Sequence, residues 1–549
     1  MEPSAALTRG DDRPLEDTTG GRPARLTLWG YRLFPLLLLP VMLLLSRDFG
    51  ITWDEKTHQM YGEAVWQFVT ERADSHWFHP DWYMYLHGGL FDALCVAAQR
   101  LVPGDPWTTR HYVNAMFGWL GILYVGRMGR LLGGPATGLL AMALLTLSPR
   151  YFADSMNNPK DVPFAALSAA AVYYILRLSP RFPLIGLRQF VPLAISIALA
   201  LDVRAGAVLL LAYVAVALAG LTLAARDFSP RRIAATAATW IALAAVALVA
   251  GTAFWPWAQT HPLTRPFQAV SLLSGFDWSS TVLFEGADVR ATALPFDYVP
   301  RWAALTTPPV VLAGALLSLL VLRRRGETRW RVLGLWVAAL FPATYVVLAH
   351  ATIYDGIRHL LFAYLPLVAV SAAGWSAPLA WPVRPVRVAA ALMLAAGLLE
   401  PAWFAWRNHP NECVYFNVLA GGPRAALGRY ELDYWGSSVH QAVAWIDAAA
   451  RQGQARIVVS GHPPHVVRDE ARRHATLDFA RNELKRHQLD VLVLRGPRQE
   501  VLELAGRTDA LHRVMTADGT PLAIVVPGPA FAQIAGLPAF ATRTAPSGP

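Results

Sequence analysis

Between Leu33 and about Leu399 the chain alternates long apolar stretches with short polar joints, and the stretches have the lengths of helices that cross hydrocarbon. The expected spans are Leu33–Leu45, Val113–Val125, Ala136–Leu147, Val162–Leu176, Phe190–Leu201, Ala205–Ala224, Ile233–Trp255, Ala303–Leu322, Val332–Ala349, His359–Trp375 and Val388–Leu399. The pattern predicts an all-α polytopic membrane bundle of about eleven transmembrane helices.

One stretch breaks the rhythm. Tyr83 to Val102 is apolar, yet Gly88, Gly89 and Asp92 interrupt it and Arg100 follows, so it reads either as a span or as an interfacial helix. Charge separates the two readings. With an interfacial helix, Arg127 and Arg130; Arg177, Arg181 and Arg188; Arg226, Arg231 and Arg232; Arg323, Arg324, Arg325, Arg329 and Arg331; and Arg384 and Arg387 all fall on the cytoplasmic side. That is the distribution the positive-inside rule requires. A spanning helix would reverse it, so the interfacial reading is adopted.

Beyond about Pro401 the apolar runs shorten and charges spread throughout. Arg456–Ser460, Asp490–Leu494 and Leu522–Val526 read as short buried strands between helical patterns at Val439–Arg451 and Leu477–His487, which predicts a small α/β domain. The expected organisation is a disordered cytoplasmic tail over 1–26, a membrane domain over 27–400 and an extracytoplasmic α/β domain over 401–549.

Composition sharpens this picture. A chain of 549 residues with 54% hydrophobic content is too apolar for a soluble domain. The formal charge of +10 sits in arginine clusters between apolar runs, which argues for membrane orientation and against nucleic-acid binding. Cys95 and Cys413 are too few and too far apart for a disulfide framework or a zinc site, and no nucleotide-binding glycine fingerprint occurs.

The candidate chemistry gathers at the outer joints. Directly after the first span stands Thr52-Trp53-Asp54-Glu55, followed by His58, and adjacent carboxylates at a bilayer surface can take a proton from a hydroxyl or hold a cation. The bland alternative is a pair of acids favourably placed at a helix N-terminus. The joint from Ser148 to Asp161 is densely polar, and Asp161 opens the next span either as a cap or as a site residue. Asp202 and Arg204 form either a turn pair or an anion site, and Arg358-His359 leads into a late span.

These elements, in this order, resemble the GT-C glycosyltransferases, especially the protein mannosyltransferase and aminoarabinose transferase branch. The resemblance rests on Trp53-Asp54-Glu55 with His58 and Gly62, on Asn158-Pro159-Lys160-Asp161, on Arg358-His359, on Pro410-Asn411-Glu412-Cys413-Val414-Tyr415-Phe416-Asn417 with Gly421-Gly422, and on Asp433-Tyr434-Trp435-Gly436. It covers roughly Leu33 to Ile446, and the interrupted stretch after Pro80 looks like that family's interfacial helices. Where the aminoarabinose branch places lysine before proline, this chain has His79-Pro80.

The resemblance implies a polyprenyl-phosphate sugar as donor substrate, and inverting transfer to an acceptor hydroxyl at the outer face of the inner or plasma membrane. It implies catalytic roles for Asp54 as general base, with Glu55 or Asp161 orienting the acceptor or sugar. Substrate-binding roles fall to His58, His79, Lys160, Arg204, Arg358 and His359. The expected partners are membrane lipid, the lipid-linked sugar and an acceptor that is a protein, a lipid or a glycan. No cofactor and no catalytic metal are expected, although a divalent ion on Asp54, Glu55 and Asp161 stays open. Competing readings are a multispanning transporter or lipid flippase, with the same acids as coupling-ion sites, and a scaffold of envelope assembly. Spans nearly free of Asp, Glu and Lys favour the enzyme.

Overall fold

The computed structural model describes residues 22–178, 186–278, 280–323, 326–481 and 485–541. Arg181, Arg324, Arg325 and nearly all of the expected amino-terminal tail lie outside these residues.

The first span is α1 (Arg22–Leu45), and the loop after it carries α2 (Glu55–Glu71) and α3 (Leu90–Leu101). Helix α3 has 12 residues, or about 18 Å, which is too short to cross a bilayer. The Leu90 amide bonds the Asp202 carbonyl and the Gly89 amide bonds the Phe254 carbonyl, so the start of α3 is tied to two other loops. Its length and these ties fit the interfacial reading and exclude a span.

Next comes α4 (Pro106–Thr146), whose helical φ/ψ angles fail at Gly133 and Gly134. In a straight helix residues 126 and 138 would stand about 18 Å apart. Instead, a Cβ on Gly138 would lie 2.7 Å from the Gly126 carbonyl oxygen. The chain therefore folds back at Gly133-Gly134-Pro135, and α4 is two antiparallel spans. Gly134 has φ +81°, a conformation that glycine adopts without strain.

The short α5 (Pro149–Asn157) leads to α6 (Asp161–Leu176), α7 (Leu187–Leu201), α8 (Val208–Ala225) and α9 (Pro230–Ala250). A loop with α10 (Pro256–Gln259), α11 (Arg265–Ser274) and the hairpin β1 (Thr281–Phe284) and β2 (Ala287–Arg290) follows. Helices α12 (Tyr298–Thr306) and α13 (Pro309–Val321) meet at a 110° bend, and α14 (Glu327–Leu348), α15 (Leu361–Leu379) and α16 (Arg384–Asn408) complete the bundle. Among the described residues, seven helices are long and apolar enough to cross a membrane as they stand, or eight with the bent pair. The second arm of α4 and the shorter apolar helices α6 and α7 pack within the same bundle. The chain is a multi-pass membrane protein.

Helix α15 lies at the centre, packed against α4, α6, α13, α14 and α16. Its Gly374 approaches the Gly314 backbone of α13 so closely that a Cβ could not be accommodated, a small-residue crossing typical of helices in lipid. Connectivity places the loops after α1, α5, α7, α9, α14 and α16 at one end of the bundle. The joints bearing Arg226, Arg231, Arg329, Arg384 and Arg387 lie at the other.

The last helix continues through Pro401 to Asn408. Beyond it come α17 (Gly422–Ala426), α18 (Val439–Gln452), β3 (Ile457–His462), α19 (Pro464–Ala471), β4 (Leu477–Phe479), β5 (Leu489–Val493), α20 (Arg498–Gly506), β6 (His512–Met515) and β7 (Pro521–Pro527). The strands form one sheet in the order β4-β3-β5-β7-β6, parallel across β4, β3 and β5 and antiparallel at β7 and β6. The helical pattern expected at Leu477–His487 is corrected here. Leu477–Phe479 is an edge strand paired with Ile457–Val459, where pairing to β3 outweighs local periodicity.

Candidate active site

Two carboxylates define this end of the bundle, and they are held in opposite ways. Asp161 stands at the first turn of α6, where Asn158 accepts hydrogen bonds from the Asp161 amide (2.9 Å) and the Lys160 amide (3.3 Å) and fixes the helix start. The Asp161 carboxylate is buried between two guanidinium groups. Arg204 pairs with Oδ1, and Arg358 Nη1 donates to Oδ2 at 2.9 Å. Arg358 also reaches Asp355 at 3.1 Å, and its guanidinium lies 4.9 Å from the ring centres of both Tyr354 and Trp435. Asp355 (φ +57°) and Gly356 (φ +68°) are both left-handed, and this turn brings the carboxylate of one arm back onto Arg358 of the other. Burial raises the Asp355 carboxyl, against the pull of Arg358 and Arg495.

Asp54 is partly exposed at the start of α2, and among the described residues no side chain hydrogen-bonds or pairs with its carboxylate. Its charge nevertheless acts on Lys160, Tyr83, Tyr354 and Asp355, which places it over the same cluster. Lys160 is buried, and the attracting charge that acts on it most strongly is that of Asp54. Burial pulls Lys160 down to about 8, with Asp54 opposing and Arg204 and Arg358 adding to the drop.

The backbone beneath Asp54 is clamped by the carboxy-terminal domain. The Ile51 amide donates to Glu470 Oε1 at 2.7 Å, the Trp53 amide donates to the Trp435 carbonyl at 3.0 Å, and the Trp53 carbonyl faces His465 Nε2 at 3.0 Å. Burial alone would raise the Glu470 carboxyl, but His440, Arg473 and the Ile51 amide hold it at about 2.

The other expected site residues separate. His359 sits beside this cluster, edge-on to Tyr354 at 4.9 Å, with Nδ1 lacking a partner. Glu55 turns away: it is buried and accepts from the Thr52 amide (2.7 Å) and hydroxyl (3.1 Å), with His111 Nε2 at 3.2 Å. It is the capping reading of the acid pair that fits Glu55, and a substrate contact does not. His58 is buried against Asp92 at 2.8 Å, and Arg110 holds the other Asp92 oxygen at 2.8 Å, so it joins α2 to α3 and α4. His79 is exposed on the first loop with Asp74 at 3.3 Å and touches none of the cluster. Since Glu55 and Asp161 are committed elsewhere, Asp54, Glu55 and Asp161 do not converge as a cation cage, and among the described residues no three His, Cys, Asp or Glu groups do.

His87 went unremarked at sequence level. It is buried with Nδ1 unpartnered, and burial and the charges of Lys160 and Arg204 drive it well below the usual histidine range. Its signal was the adjacent Gly88, where a Cβ would meet the Asp202 backbone at 2.2 Å. That close approach presses the His87 loop onto the Arg204 turn.

No family model and no curated protein matches the chain. Among solved structures, it is similar to ArnT from Cupriavidus metallidurans in the apo state, with 11% identity, a TM-score of 0.49, and 92% of this chain and 98% of that one covered. It is similar to the same protein bound to undecaprenyl phosphate (12% identity, TM-score 0.47, 91% and 98% covered). A third is the archaeal oligosaccharyltransferase AglB from Archaeoglobus fulgidus with an inhibitory peptide and a dolichol-phosphate (14% identity, TM-score 0.45, 85% and 70% covered). These superpositions are loose, and the function of this chain has to come from its own side chains.

Proposed function

We propose that the protein is a membrane glycosyltransferase of the GT-C type, moving a sugar from a polyprenyl-phosphate donor to an acceptor hydroxyl on the extracytoplasmic side of a cell-envelope membrane. The observation that carries this is the Asp54 carboxylate, without a hydrogen bond or ion pair among the described residues, whose charge acts on the buried Lys160 beside Arg204 and Arg358. A free carboxylate beside fixed positive charge is what transfer from a phosphate leaving group needs.

Asp54 accepts the proton of the acceptor hydroxyl as its oxygen bonds to the anomeric carbon. The bond from that carbon to the phosphate oxygen breaks on the opposite face, so configuration inverts, and the electron pair leaves on the lipid phosphate. Lys160 and Arg204 meet the growing phosphate charge, with His87 and His359 beside them. Asp161 holds Arg204 and Arg358 in place and is no proton acceptor, since both its oxygens are engaged. The site lies at the end of the bundle opposite the arginine-rich joints, which by the positive-inside rule is the extracytoplasmic face.

The test is consumption of a radiolabelled polyprenyl-phosphate sugar by membranes containing the protein, with mass spectrometry of co-purifying lipids to name the donor. Membranes that consume no member of a panel of such donors, while the purified protein carries no polyprenyl lipid, would remove the proposal.

A further inference from the structure

The segment between α16 and α17 belongs to the carboxy-terminal part of the chain, yet its composition is unlike the rest of that part. From Cys413 to Gly422 it carries no charged residue. Val418 and Leu419 are 64% and 79% exposed, while Asn417 beside them is fully buried.

The loop that holds these two side chains out is fixed. Asn417 Nδ2 donates to the Ala304 carbonyl at 2.7 Å and to the Thr307 carbonyl at 2.9 Å, and Oδ1 accepts from the Ala420 amide at 3.0 Å. The Asn417 amide donates to the Leu305 carbonyl at 2.8 Å. The turn Val418–Ala420 is thereby fastened to the joint between α12 and α13. Turning Val418 and Leu419 inward would break bonds that a buried side chain cannot replace with water.

The height of that joint is set by the helices beside it. Pro309 opens α13, and a Cβ on Gly397 of α16 would lie 2.9 Å from Val310, so Gly397 and the first turn of α13 are level. Thr307 precedes Val310 closely enough to lie within about 10 Å of it. Along α16, Trp403 and Trp406 stand about 9 and 13 Å beyond Gly397. Their rings meet at 5.1 Å, and the Arg407 guanidinium lies 5.3 Å from the centre of Trp403, an arrangement suited to the headgroup level of a bilayer. The Tyr415 hydroxyl donates to Glu400 at 2.7 Å and its ring meets Phe404 at 4.9 Å, which holds the loop against this stretch of α16. Val418 and Leu419 therefore stand no farther out than the tryptophan pair, and the exposed Leu392 and Leu399 extend the apolar surface along α16.

Single apolar residues on a water-facing surface are ordinary. A rigid, uncharged loop that presents two of them at the depth where a span begins is built for hydrocarbon.

We infer that Val418 and Leu419 form a wedge inserted among the acyl chains of the leaflet on the side of the candidate site. The partner is lipid rather than a second copy of this chain, because the wedge continues the apolar flank of α16 and residues Val418 to Gly422 offer no polar side chain to a protein surface. The carboxy-terminal domain is then tied to the membrane at two places, α16 and this wedge. The inference stands apart from the glycosyl-transfer reading.

Footprinting of the unaltered protein in liposomes tests it with two reagents, an apolar diazirine dissolved in the acyl chains and hydroxyl radicals generated in water, with the modified residues read by mass spectrometry. Val418 and Leu419 should take up the carbene as Leu392 does and at least about tenfold more than the exposed Leu502 of α20, since an apolar reagent partitions out of water. The radicals should mark them in the reverse order. A ratio of carbene to radical labelling at Leu419 closer to that of Leu502 than to that of Leu392 places the loop in water and overturns the wedge. Protection of Leu419 from both reagents overturns it as well, because a protein surface, a second copy included, would then cover it.

Discussion

Asp54 and Asp161 are both acids at the start of a helix, at the same end of the bundle, and they have been given opposite environments. Asp161 is buried with both oxygens taken by Arg204 and Arg358, while Asp54 is partly exposed and, among the described residues, unpaired. A carboxylate between two guanidinium groups is a poor proton acceptor and a good anchor, because its charge is already spent on holding cations in place. Under the proposed function, the difference separates a base from a positioning residue although their helical placements are alike.

The largest effect expected from breaking this contrast is at Asp54. Asp54→Asn should reduce turnover of a polyprenyl-phosphate sugar by about 10²–10⁴-fold with thermal stability unchanged, since no partner is lost. Turnover within tenfold of wild type in the purified variant would remove Asp54 as base. Asp161→Asn should behave differently, destabilising the fold by about 3–5 kcal/mol, because the buried Arg358 and the half-buried Arg204 lose their shared counter-charge. A thermal unfolding midpoint equal to that of wild type would show that the arginines have another partner.

A smaller effect concerns pH. Lys160 is held near 8, so its cationic form fades as pH rises through that value and kcat/KM for the lipid donor should fall with it. In Lys160→Arg that alkaline limb should disappear, and a limb that persists assigns it to another group. The clamp under Asp54 has the opposite sign. Glu470 is depressed to about 2 from 4.5, so its contribution is complete above pH 4.5 and is lost as pH falls towards 2. Limited proteolysis between α1 and α2 should accelerate only in that acid window. The smallest effect belongs to His79, whose exposed pairing with Asp74 predicts that His79→Ala leaves kcat/KM within about twofold.

Much of the bundle was legible in the sequence, because a span announces itself by its own apolar length. The α4 turn is an example: the polar joint with Gly133-Gly134-Pro135 separated two expected spans that the structure folds against each other. Asp161, Arg204 and Arg358 were legible as candidates because charged groups at the hydrocarbon edge are scarce, although their mutual pairing was not. The directions of the Glu55 and His58 side chains were not legible, because adjacency to Asp54 says nothing of direction. Their partners, His111 and Asp92, lie on other elements, and burial rather than spacing decides where the side chains turn. The stacking of Arg495 on Trp53 was invisible for a related reason, since only the folding of the carboxy-terminal domain brings the two together.

Because Glu470, Trp435 and His465 hold the backbone of residues 51–53, the proposed reaction centre at Asp54 is built by both the membrane helices and the carboxy-terminal domain. A chimera that exchanges the carboxy-terminal domain between related chains must therefore carry the matching Ile51–Asp54 segment with it. One that keeps the original segment would assemble in the membrane with its base misaimed.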